Sequence, residues 1–189
     1  MKKDIAKILN EGGVGVFLTD TLYGVLGSAF SKKAVLKVYE VKKRDLKKPM
    51  IILISSFSDL EKFGVKISKK EKEVLKSVWP GKVSVLLPCK LKKYEYLHRG
   101  TNSLAFRMPK KKSLLELLLK TGPLVAPSAN PEGLLSAKNI KEAKKYFKDE
   151  VDFYEGSGKP SEEPSALIEL KNNKAKVIRG DISKLKIKK

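Results

Sequence analysis

The sequence contains little of the chemistry on which disulfides, zinc sites and histidine-based triads depend. It has a single cysteine, Cys89, and a single histidine, His98. A lone cysteine cannot form an internal disulfide, and this scarcity indicates a reducing compartment. One histidine excludes a two-histidine metal site and disfavours a catalytic triad. Cys89 is therefore expected to be a structural thiol, and His98, in a polar segment beside Arg99, a surface side chain.

Long apolar runs and the usual nucleotide-binding glycine motifs are missing as well. No stretch approaches the roughly 20 apolar residues that a membrane helix needs. The first 13 residues are basic but lack the apolar core of a secretory signal, so we expect a cytoplasmic protein without membrane contact. Neither GxxxxGK[ST] nor GxGxxG occurs, which excludes a P-loop and a Rossmann fingerprint. No acidic cluster suggests a two-metal site, and no metal-ligating residues are predicted.

The chain is strongly basic and uses lysine almost throughout. Lysine and arginine number 41 against 21 acidic residues, giving a formal net charge of +20. A basic domain attracts nucleic acid or polyphosphate, although a lysine-biased proteome would produce the same total. Only four of the cations are arginines: Arg44, Arg99, Arg107 and Arg179. Because a guanidinium binds carboxylate or phosphate through two parallel hydrogen bonds, these positions indicate where a planar fork is needed.

Strands and helices alternate along the 189 residues. Short helices are predicted over 4–11, after Ser31, after Ser68, after Ser113 and over 137–148. Their alternation with strands predicts an α/β fold, a twisted mixed sheet with flanking helices. One domain over 1–189 is expected, with a frayed basic tail from about residue 182. Apolar runs rich in β-branched residues predict strands at 14–18, 50–54, 83–88, 103–107 and 124–127, with shorter ones near 151–155, 166–170 and 175–179.

Polar segments follow three of these strands where they end. TDTLYG follows the first, PSAN comes at the end of the strand at 124–127, and Arg179-Gly180 follows the last. In open α/β sheets ligands bind beyond strand ends, where loops offer short polar side chains. Ser and Thr also cap turns and helices, but three such segments together favour a ligand site. The side chains suited to it are Thr19, Thr21, Ser128, Asn130 and Ser136.

A loop of unusual charge density separates the helix after Ser31 from the next strand. Residues 42–49, KKRDLKKP, place five cations in eight positions. Such a loop repels itself unless an anion or water screens it, and we interpret it as a clamp for phosphate or carboxylate. Replacing Lys42 or Arg44 by alanine should then relieve repulsion and leave the stability almost unchanged.

Seven short motifs occur in a recognisable order. They are Thr19-Asp20-Thr21-Leu22-Tyr23-Gly24, Lys42-x-Arg44 with Lys48-Pro49, Trp79-Pro80-Gly81, Arg107-Met108-Pro109, Pro127-Ser128-Ala129-Asn130 with Ser136, Pro164-Ser165, and Ile178-Arg179. In this order they resemble the YrdC-like family, the threonylcarbamoyl-AMP synthases, over about residues 5–181.

The sequence departs from the family pattern at a few of these positions. Leu18 replaces a proline, Asp20 replaces a glutamate and Ala166 replaces a threonine. Arg179 and Gly180 also lack the residue that usually separates them.

The resemblance implies a reaction and a set of site residues. Family members condense L-threonine, bicarbonate and ATP into threonylcarbamoyl-AMP, releasing pyrophosphate, and downstream transferase proteins pass the product to tRNA. A concave, basic groove is expected, with Lys42 and Arg44 catalytic and Mg²⁺ entering with ATP. The resemblance assigns threonine to Thr19, Thr21, Arg107 and Ser165. It assigns ATP to Lys42, Arg44, Ser103, Ala126, Ser128, Asn130, Ser136 and Arg179.

Two other interpretations remain open. The first is a non-catalytic module of the same fold that binds tRNA or double-stranded RNA through its basic face, which the net charge supports. A direct tRNA contact is also compatible with the enzyme. The second is a carbamoyl-transfer relative of the hydrogenase-maturation type, which the length of 189 residues disfavours because those proteins embed this domain in a much longer chain.

Overall fold

The computed structural model describes residues 4–161, 163–171 and 174–181. The tail predicted from residue 182 lies outside the described residues. The helices are α1 Ile5–Asn10, α2 Lys32–Val41, α3 Ser58–Lys62, α4 Lys69–Val78, α5 Glu95–His98, α6 Lys112–Thr121 and α7 Ile140–Phe147. The strands are β1 Val14–Leu18, β2 Tyr23–Ser28, β3 Ile51–Leu53, β4 Val83–Pro88, β5 Ser103–Arg107, β6 Leu124–Val125, β7 Phe153–Glu155, β8 Ala166–Lys171 and β9 Lys174–Arg179.

The strands form one mixed sheet in the order β7-β1-β2-β6-β3-β5-β4-β8-β9. Three pairs are parallel, β1 with β7, β3 with β5 and β4 with β8. The other neighbours are antiparallel. The predicted α/β class with a mixed sheet and flanking helices is confirmed.

Helix starts agree with the sequence at α2, where Ser31 accepts from Ala34 N, and at α4, where Ser68 and Glu71 form a capping box. The predicted cap at Ser113 is wrong. Helix α6 begins at Lys112 with Lys111 as its N-cap and no side-chain capping bond. The burial of its leucines, and not a capping side chain, therefore fixes this helix in place.

The two faces of the sheet carry separate cores. Along β1, Val16 packs into the larger core and Phe17 into the smaller one, because alternate residues point to opposite faces. Helices α1 and α6 cover the smaller core with Leu9, Leu114 and Leu118. They lie over strands β7, β1, β2, β6 and β3, so the same face of β5, β4 and β8 is left open.

The predictions for the single cysteine and the single histidine have different outcomes. Cys89 is fully buried and its Sγ lies 3.3 Å from the carbonyl oxygen of Phe63. Burial raises its pKa, which agrees with a structural thiol. His98 is only 3% exposed, so the prediction of a surface histidine is wrong. Its Nδ1 accepts from Gly100 N at 3.2 Å, in the turn that follows α5.

Candidate active site

The open part of the sheet forms the floor of a cavity of about 1350 Å³. Ser103, Ala105 and Arg107 occupy alternate positions of β5 and line the cavity together, while Leu104 and Phe106 between them pack into the larger core. Leu86 of β4, Leu167 of β8 and Arg179 of β9 extend this floor. The uncovered half of the sheet is thus the place where a ligand can lie.

Most of the residues predicted for the site line this one cavity. Lys42 and Asn130 do not line the cavity, but both bond to Ser128, which does. The lining set contains Thr19, Thr21, Arg44, Ser103, Arg107, Ala126, Ser128, Ser136, Ser165 and Arg179.

Arg107 is the most deeply buried charge in the cavity wall, with 3% exposure. Its Nη2 lies 2.9 Å from Oδ1 of Asp20, and its Nη1 donates to Oγ1 of Thr21 at 3.0 Å. Burial lowers the pKa of Arg107, an effect that the charge of Asp20 opposes. A guanidinium remains protonated at neutral pH even so. Its Nε is buried without a partner among the described residues, so the fork retains a donor for a bound anion.

The turn between β1 and β2 is shaped by its own threonines. The hydroxyl of Thr19 donates to the carbonyl of Leu22 at 2.6 Å and accepts from Thr21 N at 3.1 Å. These bonds hold the Thr21 hydroxyl toward Arg107. Thr19 therefore shapes the turn, whereas Thr21 directly contacts the buried guanidinium.

The PSAN segment, residues 127–130, is fixed to the start of β2. Val25 N donates to the carbonyl of Pro127 at 2.9 Å, and Ala129 N donates to that of Tyr23 at 2.7 Å. Oδ1 of Asn130 accepts from the hydroxyls of Ser128 at 2.6 Å and Ser136 at 3.4 Å. Its amide nitrogen donates to the carbonyls of Pro131 and Leu134. Asn130 thus organises the loop whose serines line the cavity.

Lys42 holds this loop from behind rather than pointing into the cavity. It is 2% exposed, and its Nζ donates to the carbonyls of Ser128 and, at 2.5 Å, Asn130. Burial lowers its pKa to about 7, with a further contribution from the charge of Arg44, while Glu132 opposes the shift. We expected Lys42 to be a surface cation whose removal leaves the stability almost unchanged. The structure instead shows a buried side chain that bonds to the loop. A direct contact between Lys42 and phosphate stays a prediction.

The pKa of Lys42 predicts that stability rises with pH above neutrality. Its ordinary pKa is 10.5, so between about pH 7 and that value the unfolded chain carries a proton that the folded protein lacks. Raising the pH then removes a cost of folding, by at most about 1.4 kcal/mol per pH unit. Urea unfolding between pH 7 and 10 gives the free energy of unfolding of the wild type and of Lys42→Met. The value for the wild type should rise relative to that of the variant as the pH increases. A pH-independent difference would contradict the shifted pKa.

A buried pair of hydroxyls adjoins the cavity wall, which Ser165 lines. The side chains of Ser84 and Ser165 lie 2.9 Å apart, both at most 5% exposed. Arg179 Nη2 donates to the carbonyl of Ser165 at 3.1 Å, which joins β9 to this part of the wall. Ser84 was missed by the sequence interpretation. Its signal is a lone hydroxyl inside the apolar strand VSVLL.

The described residues give no indication of a metal held by the protein. Within residues 4–161, 163–171 and 174–181, no three acidic, histidine or cysteine side chains come together in a way that could hold an ion. The entry of Mg²⁺ with ATP stays a prediction. No helix in the part of the chain that the structure describes is long and apolar enough to cross a membrane.

A known protein family matches the whole stretch in which the motifs occur. The family model named Sua5/YciO/YrdC and described as "Telomere recombination" matches residues 7–180. The chain belongs to the Sua5/YciO/YrdC family. The resemblance drawn from the motifs is therefore confirmed.

The chain is similar to named relatives in sequence and to a solved structure in fold. A Bacillus subtilis protein named threonylcarbamoyl-AMP synthase is 37% identical over 68% of the chain, but the matched part is only 38% of its own length. A Methanocaldococcus jannaschii protein named putative threonylcarbamoyl-AMP synthase is 30% identical, over 92% of the chain and 81% of that protein. The Pyrococcus abyssi Sua5 structure described as complexed with L-threonine is 28% identical, with a TM-score of 0.85 over 92% of the chain and 52% of that structure.

Proposed function

We propose that the protein is an L-threonylcarbamoyladenylate synthase, which converts L-threonine, bicarbonate and ATP into threonylcarbamoyl-AMP, pyrophosphate and water. The observation that carries the proposal is the buried Arg107 beside Thr21 in a cavity that the PSAN segment also lines. Membership of the Sua5/YciO/YrdC family and the names of its relatives support it.

Threonine is assigned to the part of the cavity around Arg107. A carboxylate matches the guanidinium fork, whose Nε has no partner among the described residues. The hydroxyls of Thr21 and Ser165 line the same wall and can bond to the substrate's own hydroxyl or carboxylate. Thr19 contributes through the shape of the turn.

ATP is assigned to the remaining wall. Arg44 and Arg179 both line it and would bind the phosphates through their guanidinium groups. Ser103, Ser128 and Ser136 offer hydroxyls, and Ala126 a backbone group, for the adenosine and phosphate oxygens. Mg²⁺ enters bound to the triphosphate, whose oxygens are the hard ligands it prefers.

The reaction does not require a nucleophile from the protein. The amine of threonine adds to CO₂ derived from bicarbonate and loses a proton, which forms a carbamate. A carbamate oxygen attacks the α-phosphorus of ATP, and the bond from that phosphorus to the bridging oxygen breaks as pyrophosphate leaves. The side chains orient both substrates and stabilise charge on the α-phosphate.

Pyrophosphate release measured with each substrate omitted in turn tests this proposal. We expect release only when ATP, L-threonine and bicarbonate are all present. Glycine should replace threonine poorly, because it has no side-chain hydroxyl for the hydroxyls of Thr21 and Ser165 to bond, and serine should lose the contacts that the methyl group makes. Equal release with glycine, or without any amino acid, would refute the threonine assignment. The tRNA contact, the downstream transferase proteins and the cytoplasmic location stay predictions.

A further inference from the structure

The carboxylate of Glu132 bonds to the basic loop, residues 42–49. Oε2 of Glu132 accepts from the backbone N of Asp45 at 2.6 Å, and its Oε1 is paired with Nζ of Lys48. The backbone N of Glu132 donates to the carbonyl of Lys42 at 2.8 Å. Glu132 therefore supplies the anion that the charge density of this loop requires, and it comes from the segment directly after PSAN.

The residue that Glu132 holds is also the one that positions Arg44. The carbonyl of Lys48 accepts from Nε of Arg44 at 3.1 Å and from the hydroxyl of Tyr39 at 2.9 Å. Nη2 of Arg44 donates to the carbonyl of Pro49 at 2.9 Å. Within the basic loop, Arg44 and Pro49 line the cavity. A chain of contacts thus runs from Glu132 through Lys48 to the guanidinium at the cavity wall.

We propose that Glu132 is a positioning residue for nucleotide binding: its carboxylate holds the basic loop against the PSAN segment and so fixes Arg44 toward the phosphates. This inference rests on the proposed function, since it assumes that a nucleotide binds beside Arg44. Glu132 itself does not line the cavity, so it acts through Lys48 and the loop backbone. Without the negative charge, the ion pair with Lys48 is lost and the five cations of the loop repel one another.

The expected effect is selective for the nucleotide. Glu132→Gln should raise KM for ATP, and the dissociation constant of a non-hydrolysable ATP analogue, by about tenfold, because a guanidinium that is no longer held binds phosphate less well. KM for L-threonine should stay within about twofold at saturating ATP. The melting temperature without ligand should barely move, because both side chains of the Lys48–Glu132 pair are partly exposed, 55% and 29%.

The control and the second variant separate positioning from a general charge effect. Glu40→Gln removes the same charge from the surface pair with Lys37 on α2 and should leave all three quantities unchanged. Lys48→Met tests the route. If Glu132 acts through Lys48, the variant that carries both Glu132→Gln and Lys48→Met should bind the analogue about as weakly as the weaker-binding single variant. Two independent effects would instead multiply the losses in affinity.

The outcomes distinguish this inference from the function on which it rests. A wild type that binds the analogue but releases no pyrophosphate refutes the function, while analogue binding still tests Glu132. Unchanged or tighter analogue binding by Glu132→Gln would refute the positioning role, since the carboxylate would then be a neutral surface pair or a competitor of phosphate. Equal losses for ATP and threonine would also refute it, because they would show a general structural role.

Discussion

Arg107→Lys is expected to raise KM for L-threonine by roughly ten- to a hundredfold, with a much smaller change for ATP. The guanidinium has Asp20 and Thr21 as partners and keeps its buried Nε available. A lysine amine at this depth can keep the ion pair with Asp20 but cannot also present a planar fork to a carboxylate. Losing one charged hydrogen bond costs about 1.5–3 kcal/mol, which corresponds to that range of affinity.

Threonine binding by calorimetry, together with KM for both substrates, measures this effect. Arg179→Lys is the matched control, because Arg179 is the same residue type on β9 and is assigned to ATP. Its larger effect should fall on ATP. If Arg107→Lys left threonine affinity intact and weakened ATP binding instead, Arg107 would have been assigned the wrong ligand.

Lys42→Met is expected to destabilise the protein by about 2–4 kcal/mol at pH 9, where much of the cost of burying the charge has been relieved. The substitution keeps a long apolar side chain but leaves the carbonyls of Ser128 and Asn130 without their donor. A buried polar group that loses its partner costs about 1–3 kcal/mol. Nucleotide affinity should fall as well, because these carbonyls belong to the loop whose serines line the cavity.

Urea unfolding and binding of the ATP analogue check this result. Lys47→Met is the matched control, since Lys47 is an exposed cation of the same loop and its replacement should be nearly neutral. A Lys42→Met protein as stable as the wild type would support the original expectation that each cation of the loop only adds repulsion.

The sequence predicted the strands whose apolar runs are continuous. Strands β1, β4 and β5 match the predicted ranges 14–18, 83–88 and 103–107. Strand β2 was missed because it begins inside the polar TDTLYG motif and contains Gly24 and Gly27, which weaken the strand signal. Its partners β1 and β6 supply the hydrogen bonds that its composition does not indicate.

The composition of the site was predictable, but its internal contacts were not. The motifs and the resemblance located Arg107, Ser128 and eight other residues of the cavity wall. The bonds of Lys42 to the PSAN segment join residues 86 and 88 positions apart, and Glu132 reaches Lys48 across 84. Such contacts follow from the order of strands in the sheet, which no local pattern contains. For the same reason the bonds of Lys42 to the PSAN segment were not predicted, and its role toward the phosphates stays a prediction.

In the proposed reaction the carbon of bicarbonate becomes bonded both to the nitrogen of threonine and, through oxygen, to AMP. Mass spectrometry of the product formed from ¹³C-bicarbonate, L-threonine and ATP tests it directly. We predict a threonylcarbamoyl-AMP species that carries one ¹³C and disappears when threonine or bicarbonate is withheld. Threonyl-AMP without the label, or AMP formed equally well without threonine, would contradict the account.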